Sequence, residues 1–134
     1  TCRQACLVVD CGSAVTVELL SGEGRHLGGY IVPGLHLMRR SLFQDTDAVK
    51  VESPKIAGAL KAGSCTIDAV NNGLLLMVVG LIEKALNELV TLEPDVPPKL
   101  ILTGGDGAEI LPFLQSGAVF NEGLVLDGLA VLMP

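Results

Sequence analysis

The amino-acid sequence predicts one α/β domain, with a mixed sheet that contains a three-stranded antiparallel meander and with helices flanking it. Three observations support this. Short apolar segments separated by glycine turns fill the first third of the chain, a long segment further on repeats its apolar residues every three or four positions, and a short apolar segment follows a proline-rich stretch. The chain has 134 residues, 49% of them hydrophobic, which is enough for one compact domain with its own core.

The first third of the chain predicts the meander. Cys6 to Val9 form an apolar run, and Val15 to Leu19 alternate apolar and polar side chains as a half-buried strand does. The sequence SGEG at 21–24 is typical of a turn. His26 to Val32 then predicts a third strand, ended by Pro33-Gly34, and the paired glycines inside it indicate a bulge or the close approach of a ligand.

The middle of the chain predicts two helices. Leu35 to Phe43 has apolar residues at helical spacing and predicts a short helix, whereas 44–63 is mixed and predicts a loop with fragments of helix. The strongest helical pattern starts after Ser64-Cys65 and continues to Leu89. Asp68 lies in its first turn, where the helix dipole favours a negative charge.

Gly73 and Gly80 lie seven residues apart on one face of this long helix. Each glycine costs about 1 kcal/mol relative to Ala in a helix interior. We therefore expect close packing against another backbone, supplied either by the sheet of this domain or by another subunit.

The last third of the chain predicts one more strand, a glycine-rich turn and two further helices. The sequence EPDVPP at 93–98 ends the long helix, and Lys99 to Leu102 predicts a short buried strand. A glycine-rich turn follows, then a short helix over Ala108 to Leu114, and the apolar tail from Leu124 to Leu132 predicts a closing helix.

Composition excludes several classes of function. The net charge of −6 argues against a nucleic-acid surface, which needs clustered Lys and Arg. Four cysteines without a C-x-x-C pair or metal-ligand spacing predict reduced thiols in a cytoplasmic protein. The longest apolar run is about half the length that a membrane-spanning helix needs, so no membrane partner is expected.

The turn after the first strand is the first candidate site. Gly12 permits a tight backbone whose amide N–H groups can point at a phosphate, and Ser13 and Thr16 add hydroxyl donors. A carboxylate at Asp10 would repel a phosphate unless a cation lay between them. The structural alternative is that Asp10 caps a β-turn through its own side chain.

The turn after the fourth strand is the second candidate site. Gly104 and Gly105 at the carboxyl end of a strand would let a flat adenine or ribose approach the backbone. The alternative is a strand-to-helix turn in which Asp106 is the N-cap. Two such glycine turns in one small α/β domain favour a nucleotide. His26 and His36 are interpreted as solvated residues, and no Ser/His/Asp set, zinc site or Walker-type loop is recognisable.

Five segments together resemble the carboxyl-terminal half of a type III pantothenate kinase. They are VVDCGSAVTVELL, HLGGYIVPGL, GSCTIDAVNNG, LTGGD and LVLDGL, in that order along essentially the whole chain. The resemblance implies an RNase H-like domain of the actin-like kinase superfamily. It also implies transfer of the γ-phosphate of Mg²⁺-bound ATP to pantothenate, the first step of coenzyme A biosynthesis, with a monovalent cation, K⁺ or NH₄⁺.

The resemblance also assigns roles to single residues. Asp10 matches the aspartate that holds the monovalent cation, and Thr66 matches the threonine that contacts pantothenate. Ser13 stands where the family usually has a threonine that contacts ATP; the hydroxyl is kept. We therefore expect Gly12, Ser13, Thr16, Gly104 and Gly105 to contact ATP.

Two motifs of the family do not occur in this sequence. These are the Asp-x-Gly-Asn phosphate loop and the Gly-x-Asp-Arg segment that supplies the catalytic base. The resemblance therefore implies that residues 1–134 form the carboxyl-terminal half of a two-domain kinase, that the base lies upstream of Thr1, and that the isolated chain is inactive. Expected partners are pantothenate, the amino-terminal half and a second copy in a homodimer. The alternatives are another actin-like small-molecule kinase and a regulatory relative of the Bvg accessory factor type.

Overall fold

The structure is a computed structural model that describes residues 4–43, 60–124 and 127. It has a mixed α/β architecture. The strands are β1 (Cys6–Cys11), β2 (Ala14–Leu20), β3 (His26–Pro33), β4 (Lys99–Thr103) and β5 (Ala118–Phe120), and the helices are α1 (Leu35–Phe43), α2 (Thr66–Leu92) and α3 (Gly107–Ile110), with a 3₁₀ turn at Leu111–Phe113.

The strands form one five-stranded sheet in the order β3-β2-β1-β4-β5. β1 pairs antiparallel with β2, and β2 pairs antiparallel with β3, which confirms the expected meander. β4 pairs parallel with β1 on its other side, and β5 extends the sheet in parallel to β4. Because β1 and β4 run in the same direction, the loops that follow them leave the same edge of the sheet.

One face of the sheet forms the core. Alternate side chains of β1, β2 and β4 are buried, as the period of two residues per strand requires. These side chains are Leu7, Val9, Cys11, Val15, Val17, Leu19, Leu100 and Leu102. α2 packs its buried stripe against this face, so the long helix and the sheet share one hydrophobic core.

α2 has the position and length that its apolar period predicts, with Cys65 at the N-cap and Asp68 in the first turn. Of the two alternatives for its glycines, packing against the sheet of this domain is wrong for the described part of the chain, and packing against another subunit stays a prediction. No other atom lies within 4 Å of a Cβ built at Gly73 or Gly80. Leu76 and Met77, on the same side, are 60% and 59% exposed. The sheet therefore covers the opposite face of α2.

A buried polar contact joins α1 to α2. The Arg39 Nε donates to the Asn71 Oδ1 over 2.9 Å, and both residues are buried, at 4% and 5% exposure. None of the ion pairs found among the described residues involves Arg39. An amide oxygen rather than a carboxylate therefore accepts from this guanidinium.

Other expectations were met in part. The register of β2 and β3 shifts at Leu19/Leu20, and Gly28 there has φ +137°, so the paired glycines accompany a bulge. The helix expected to reach Leu114 is divided into α3 and the 3₁₀ turn, and β5 was not expected. The loop expected at 44–63 lies outside the described residues except for its last four, and so does most of the closing helix expected at 124–132.

Three cysteines in the described ranges, Cys6, Cys11 and Cys65, are free thiols. Among these same residues, no helix combines the length and the apolar character needed to cross a bilayer.

Candidate functional site

Three segments meet at the edge of the sheet where β1 and β4 end. They are residues 10–14, which turn from β1 to β2; residues 33–36, which lead from β3 into α1; and residues 103–107, which lead from β4 into α3. We call these three segments the loop cluster. It contains both glycine turns that the sequence analysis identified as candidate sites. It also contains His36, which the sequence analysis did not identify as a site residue.

Gly104 joins the first and third segments of the loop cluster. Its φ of +91° is a conformation that favours glycine. A Cβ at this position would lie 2.5 Å from the Asp10 Oδ1 and 2.7 Å from the backbone of Cys11. The Asp106 N–H donates to the Cys11 carbonyl over 2.9 Å. Glycine at 104 is thus required by the packing of the protein on itself, whereas Gly105 is exposed and borders open space.

Gly34 joins the second segment to the first. Its N–H donates to the Ser13 carbonyl over 2.9 Å. A Cβ on Gly34 would lie 2.5 Å from that same carbonyl oxygen, so the start of α1 lies directly on the turn between β1 and β2. The position of α1 is therefore fixed by the turn that carries Ser13.

Asp10 lies between two threonines. The strand register places Thr16 of β2 on one side of it and Thr103 of β4 on the other. Residues paired in this way direct their side chains to the same face of the sheet. Thr103 is 3% exposed, and the sequence analysis gave it no role although its register with Asp10 follows from a parallel β1–β4 pair.

The Asp10 carboxylate makes no hydrogen bond or ion pair with the other described residues. The alternative in which it caps the turn is therefore not seen, and the turn is closed by the Gly12 N–H donating to the Ala14 carbonyl over 3.0 Å. Carboxylate and hydroxyl oxygens are the donors that hard cations prefer. The oxygen chemistry around Asp10 fits a bound cation. No group of three or more His, Cys, Asp or Glu that would hold a metal occurs among the residues described.

The Gly12 N–H itself is not among the amides that could meet a phosphate. This N–H is used inside the turn, and the φ of Gly12 is not in the left-handed region, so Gly12 does not present a free amide to a phosphate. Ser13 is exposed and Thr16 is partly buried, so the hydroxyl groups remain the donors available at this turn.

Asp106 occupies the N-cap position of α3 but makes no side-chain capping hydrogen bond. Its side chain is 14% exposed, and its Oδ1 lies 3.7 Å from the His36 Nε2. The alternative role as a helix cap is therefore not seen. The sequence analysis interpreted His36 as a solvated residue. The structure places it in the loop cluster, because Gly34 packs on Ser13, and this tertiary contact cannot be read from the sequence.

Cys11 follows Asp10 in β1, and its carbonyl accepts from the Asp106 N–H. Burial raises the pKa of its thiol to about 12, and the negative charges of Asp10 and then Asp106 contribute in the same direction. Cys11 is therefore protonated at neutral pH and is not a nucleophile.

Thr66 is the first residue of α2 and is exposed. The N-cap is Cys65, and no side-chain capping hydrogen bond is made there. Thr66 takes no part in the contacts that join the three segments of the loop cluster. Its hydroxyl is available to a ligand at the start of α2.

Comparison with known proteins agrees with the resemblance drawn from the motifs. The family model described as type III pantothenate kinase matches residues 1–88. A type III pantothenate kinase of Alcanivorax borkumensis is 40% identical over 125 residues, which cover 93% of this chain and 50% of that protein. One of Pseudomonas aeruginosa is 40% identical over 136 residues, covering 98% and 54%. The chain spans about half the length of the curated relatives it matches.

Among solved structures, a similar fold occurs in a crystal structure assigned to the Baf family of transcriptional activators, from Campylobacter jejuni. The TM-score is 0.70 at 25% identity, and the match covers 97% of this chain and 57% of that one. The family model matches well over half of the residues, and relatives of 40% identity align along nearly all of them. The chain therefore belongs to the type III pantothenate kinase family.

Proposed function

We propose that this chain is the carboxyl-terminal half of a kinase that phosphorylates pantothenate with ATP to give 4′-phosphopantothenate, the first step of coenzyme A biosynthesis. The fold would be one RNase H-like domain of an actin-like kinase. The observation that carries the proposal is the half-buried Asp10 carboxylate, which pairs with no other described residue. It lies between Thr16 and Thr103, at an edge of the sheet where two glycine turns converge.

Asp10 would hold K⁺ or NH₄⁺, which would supply positive charge beside the phosphates of Mg²⁺-bound ATP. Ser13 and Thr16 would contribute hydroxyl groups on the β1–β2 side. ATP would contact backbone atoms of Gly12 other than its N–H, because that N–H is used in the turn. The open space at Gly105 would admit the adenosine, with Gly104 as the support beneath it.

Transfer would proceed by orientation and charge neutralisation, without a covalent intermediate. In this reading the catalytic base and the first phosphate loop belong to the amino-terminal half, and Thr66 supplies a contact to pantothenate. A homodimer and a cytoplasmic location complete the proposal.

Asp10→Asn tests the cation site. In the full-length protein that carries this chain, the variant should raise the KM for ATP about ten- to a hundredfold, as expected for a lost charge-assisted contact, and flatten the response to added K⁺. Asp95→Asn is the matched control, because Asp95 lies in the exposed loop after α2. Wild-type ATP kinetics with full K⁺ activation in Asp10→Asn would refute the assignment.

Thr66→Val tests the substrate contact. It preserves the shape of the side chain and removes the hydroxyl, so the KM for pantothenate should rise about tenfold while the KM for ATP changes little. Thr91→Val on the same helix is the control, because the Thr91 hydroxyl donates to the Asn87 carbonyl within α2. Equal pantothenate KM values in Thr66→Val and wild type would assign the contact to another residue.

A regulatory role is the second candidate, favoured by the similarity to the Baf-family structure. The net charge of −6 argues against direct contact with DNA but not against regulation through a protein partner. An assay of pantothenate-dependent ADP release by the full-length protein separates the two functions.

A further inference from the structure

The loop cluster brings two carboxylates to a place proposed to receive a polyphosphate. Asp10 and Asp106 both lie close enough to Cys11 to raise its pKa. An anionic ligand at this edge therefore needs positive charge from the protein as well as from bound cations. Among the ion pairs of the described residues, neither Lys nor Arg approaches these two carboxylates; the basic side chain that approaches one of them, Asp106, is His36.

The position of His36 is fixed from two directions. It lies in the first turn of α1, two residues after Gly34, whose N–H donates to the Ser13 carbonyl. The Met38 N–H donates to the Gly34 carbonyl over 3.0 Å, which continues the helix from that same contact. The backbone from which the imidazole extends is therefore fixed against the turn that carries Ser13.

The His36 imidazole is nevertheless free to bind. Its Nε2 is 3.7 Å from the Asp106 Oδ1, which is within ion-pair range but too long for a hydrogen bond. The side chain is 68% exposed. His26 differs, because its Nε2 contacts the Glu18 carboxylate directly, on the paired strands β2 and β3. The His36 imidazole is therefore available to a ligand, whereas the His26 imidazole is engaged with Glu18.

We propose that His36 donates a hydrogen bond from its imidazole to a phosphate oxygen of the bound nucleotide. The proposal rests on the nucleotide site proposed above and adds to it a residue that neither the motifs nor the family match identified. When the nucleotide enters, the imidazole Nε2 would turn from the Asp106 carboxylate toward a phosphate oxygen. The contact would serve ATP and not pantothenate.

His36→Gln in the full-length protein tests the proposal. The variant removes the imidazole and keeps a polar side chain, so the KM for ATP should rise about five- to tenfold while the KM for pantothenate stays within about twofold of wild type. His26→Gln is the matched control and should leave both constants unchanged. His36→Lys, which supplies a basic hydrogen-bond donor at this position, should recover part of the ATP affinity. The melting temperature of each variant shows whether the fold is intact.

Three results would overturn the inference. One is an ATP KM in His36→Gln equal to that of wild type. Another is a rise in both KM values with a lower melting temperature, which would make His36 a support for α1. If wild type shows no pantothenate-dependent ADP release, the proposed kinase function fails, and binding of a fluorescent ATP analogue replaces the kinetic measurement. Weaker binding of this analogue by His36→Gln than by wild type would still support the contact. The third overturning result is equal binding of the analogue by the two proteins, or no binding by wild type.

Discussion

Gly104 occupies a position where the backbone conformation and the surrounding atoms both exclude a side chain. Gly104→Ala would place a methyl group against the Asp10 carboxylate in a left-handed conformation, at a cost of about 1–3 kcal/mol in stability. It would also displace Asp10, so activation by K⁺ should weaken with stability. Urea unfolding and K⁺ titration of the full-length protein measure the two effects.

Gly105→Ala is the control for that substitution, because no atom lies within 4 Å of a Cβ at 105 and its φ is not in the left-handed region. Its stability should stay within about 0.5 kcal/mol of wild type. If Gly105 contacts the adenosine, the control should still raise the ATP KM. Equal stability of the two alanine variants would contradict the packing argument.

The residues of the candidate site were predictable to different degrees. Asp10 attracts notice in the sequence because a carboxylate between two apolar segments is costly without a function. Thr103 and His36 do not, since their places depend on the parallel pairing of β1 with β4 and on the packing of α1. For Gly12, sequence does not reveal that its own N–H is used inside the turn; that the other amides of the turn point at a phosphate stays a prediction.

The Arg39–Asn71 contact between α1 and α2 predicts how substitutions at these two residues change the stability of the protein. Asn71→Leu would leave a buried guanidinium without its amide acceptor, so the free energy of unfolding should fall by about 1–3 kcal/mol. Arg39→Met combined with Asn71→Leu should restore part of the loss, since two apolar side chains can pack where one unpaired charge cannot. Urea unfolding of the wild type, both single variants and the double variant gives the coupling energy.

Asn72→Leu is the neighbouring control. The Asn72 Nδ2 donates to the Lys61 carbonyl in an exposed contact, so its loss should cost less than about 1 kcal/mol. Additive effects in the double variant would show that Arg39 and Asn71 do not depend on each other.

Among the elements, those with long patterns were predictable and those that depend on neighbours were not. The period of α2 and the alternation of β2 suffice to place both. β5 has three residues and acquires its strand conformation by pairing with β4, which no local pattern encodes. The sheet packing weighed for Gly73 and Gly80 was wrong because α2 is apolar on nearly all sides, and periodicity alone does not tell which side the sheet covers.

At the scale of the whole molecule, we expect the isolated 134-residue chain not to phosphorylate pantothenate. Transfer needs a group that orients and deprotonates the hydroxyl, and the chain contains no Gly-x-Asp-Arg segment to supply it. It should also self-associate, because Leu76 and Met77 of α2 and Ile31 of β3 are widely exposed.

A coupled ADP-release assay with saturating ATP, Mg²⁺, K⁺ and pantothenate checks activity, and light scattering checks association. Co-expression with an amino-terminal half that contains the two absent motifs should restore turnover. Pantothenate-dependent turnover by the 134-residue chain alone, abolished by Asp10→Asn, would show that the base lies within it.

The pairing of β1 with β4 has a consequence for how the protein is made. The Gln4 side chain donates to the Pro97 carbonyl, 93 residues further along the chain, and β4 follows directly. One edge of β1 therefore lacks its β4 partner until Lys99–Thr103 has left the ribosome. At roughly 5–20 residues per second, that interval is on the order of 5–20 s. During synthesis the unpaired edge is open to strands of other nascent chains. The strand that carries Asp10 is thus exposed to mispairing until β4 has been synthesised.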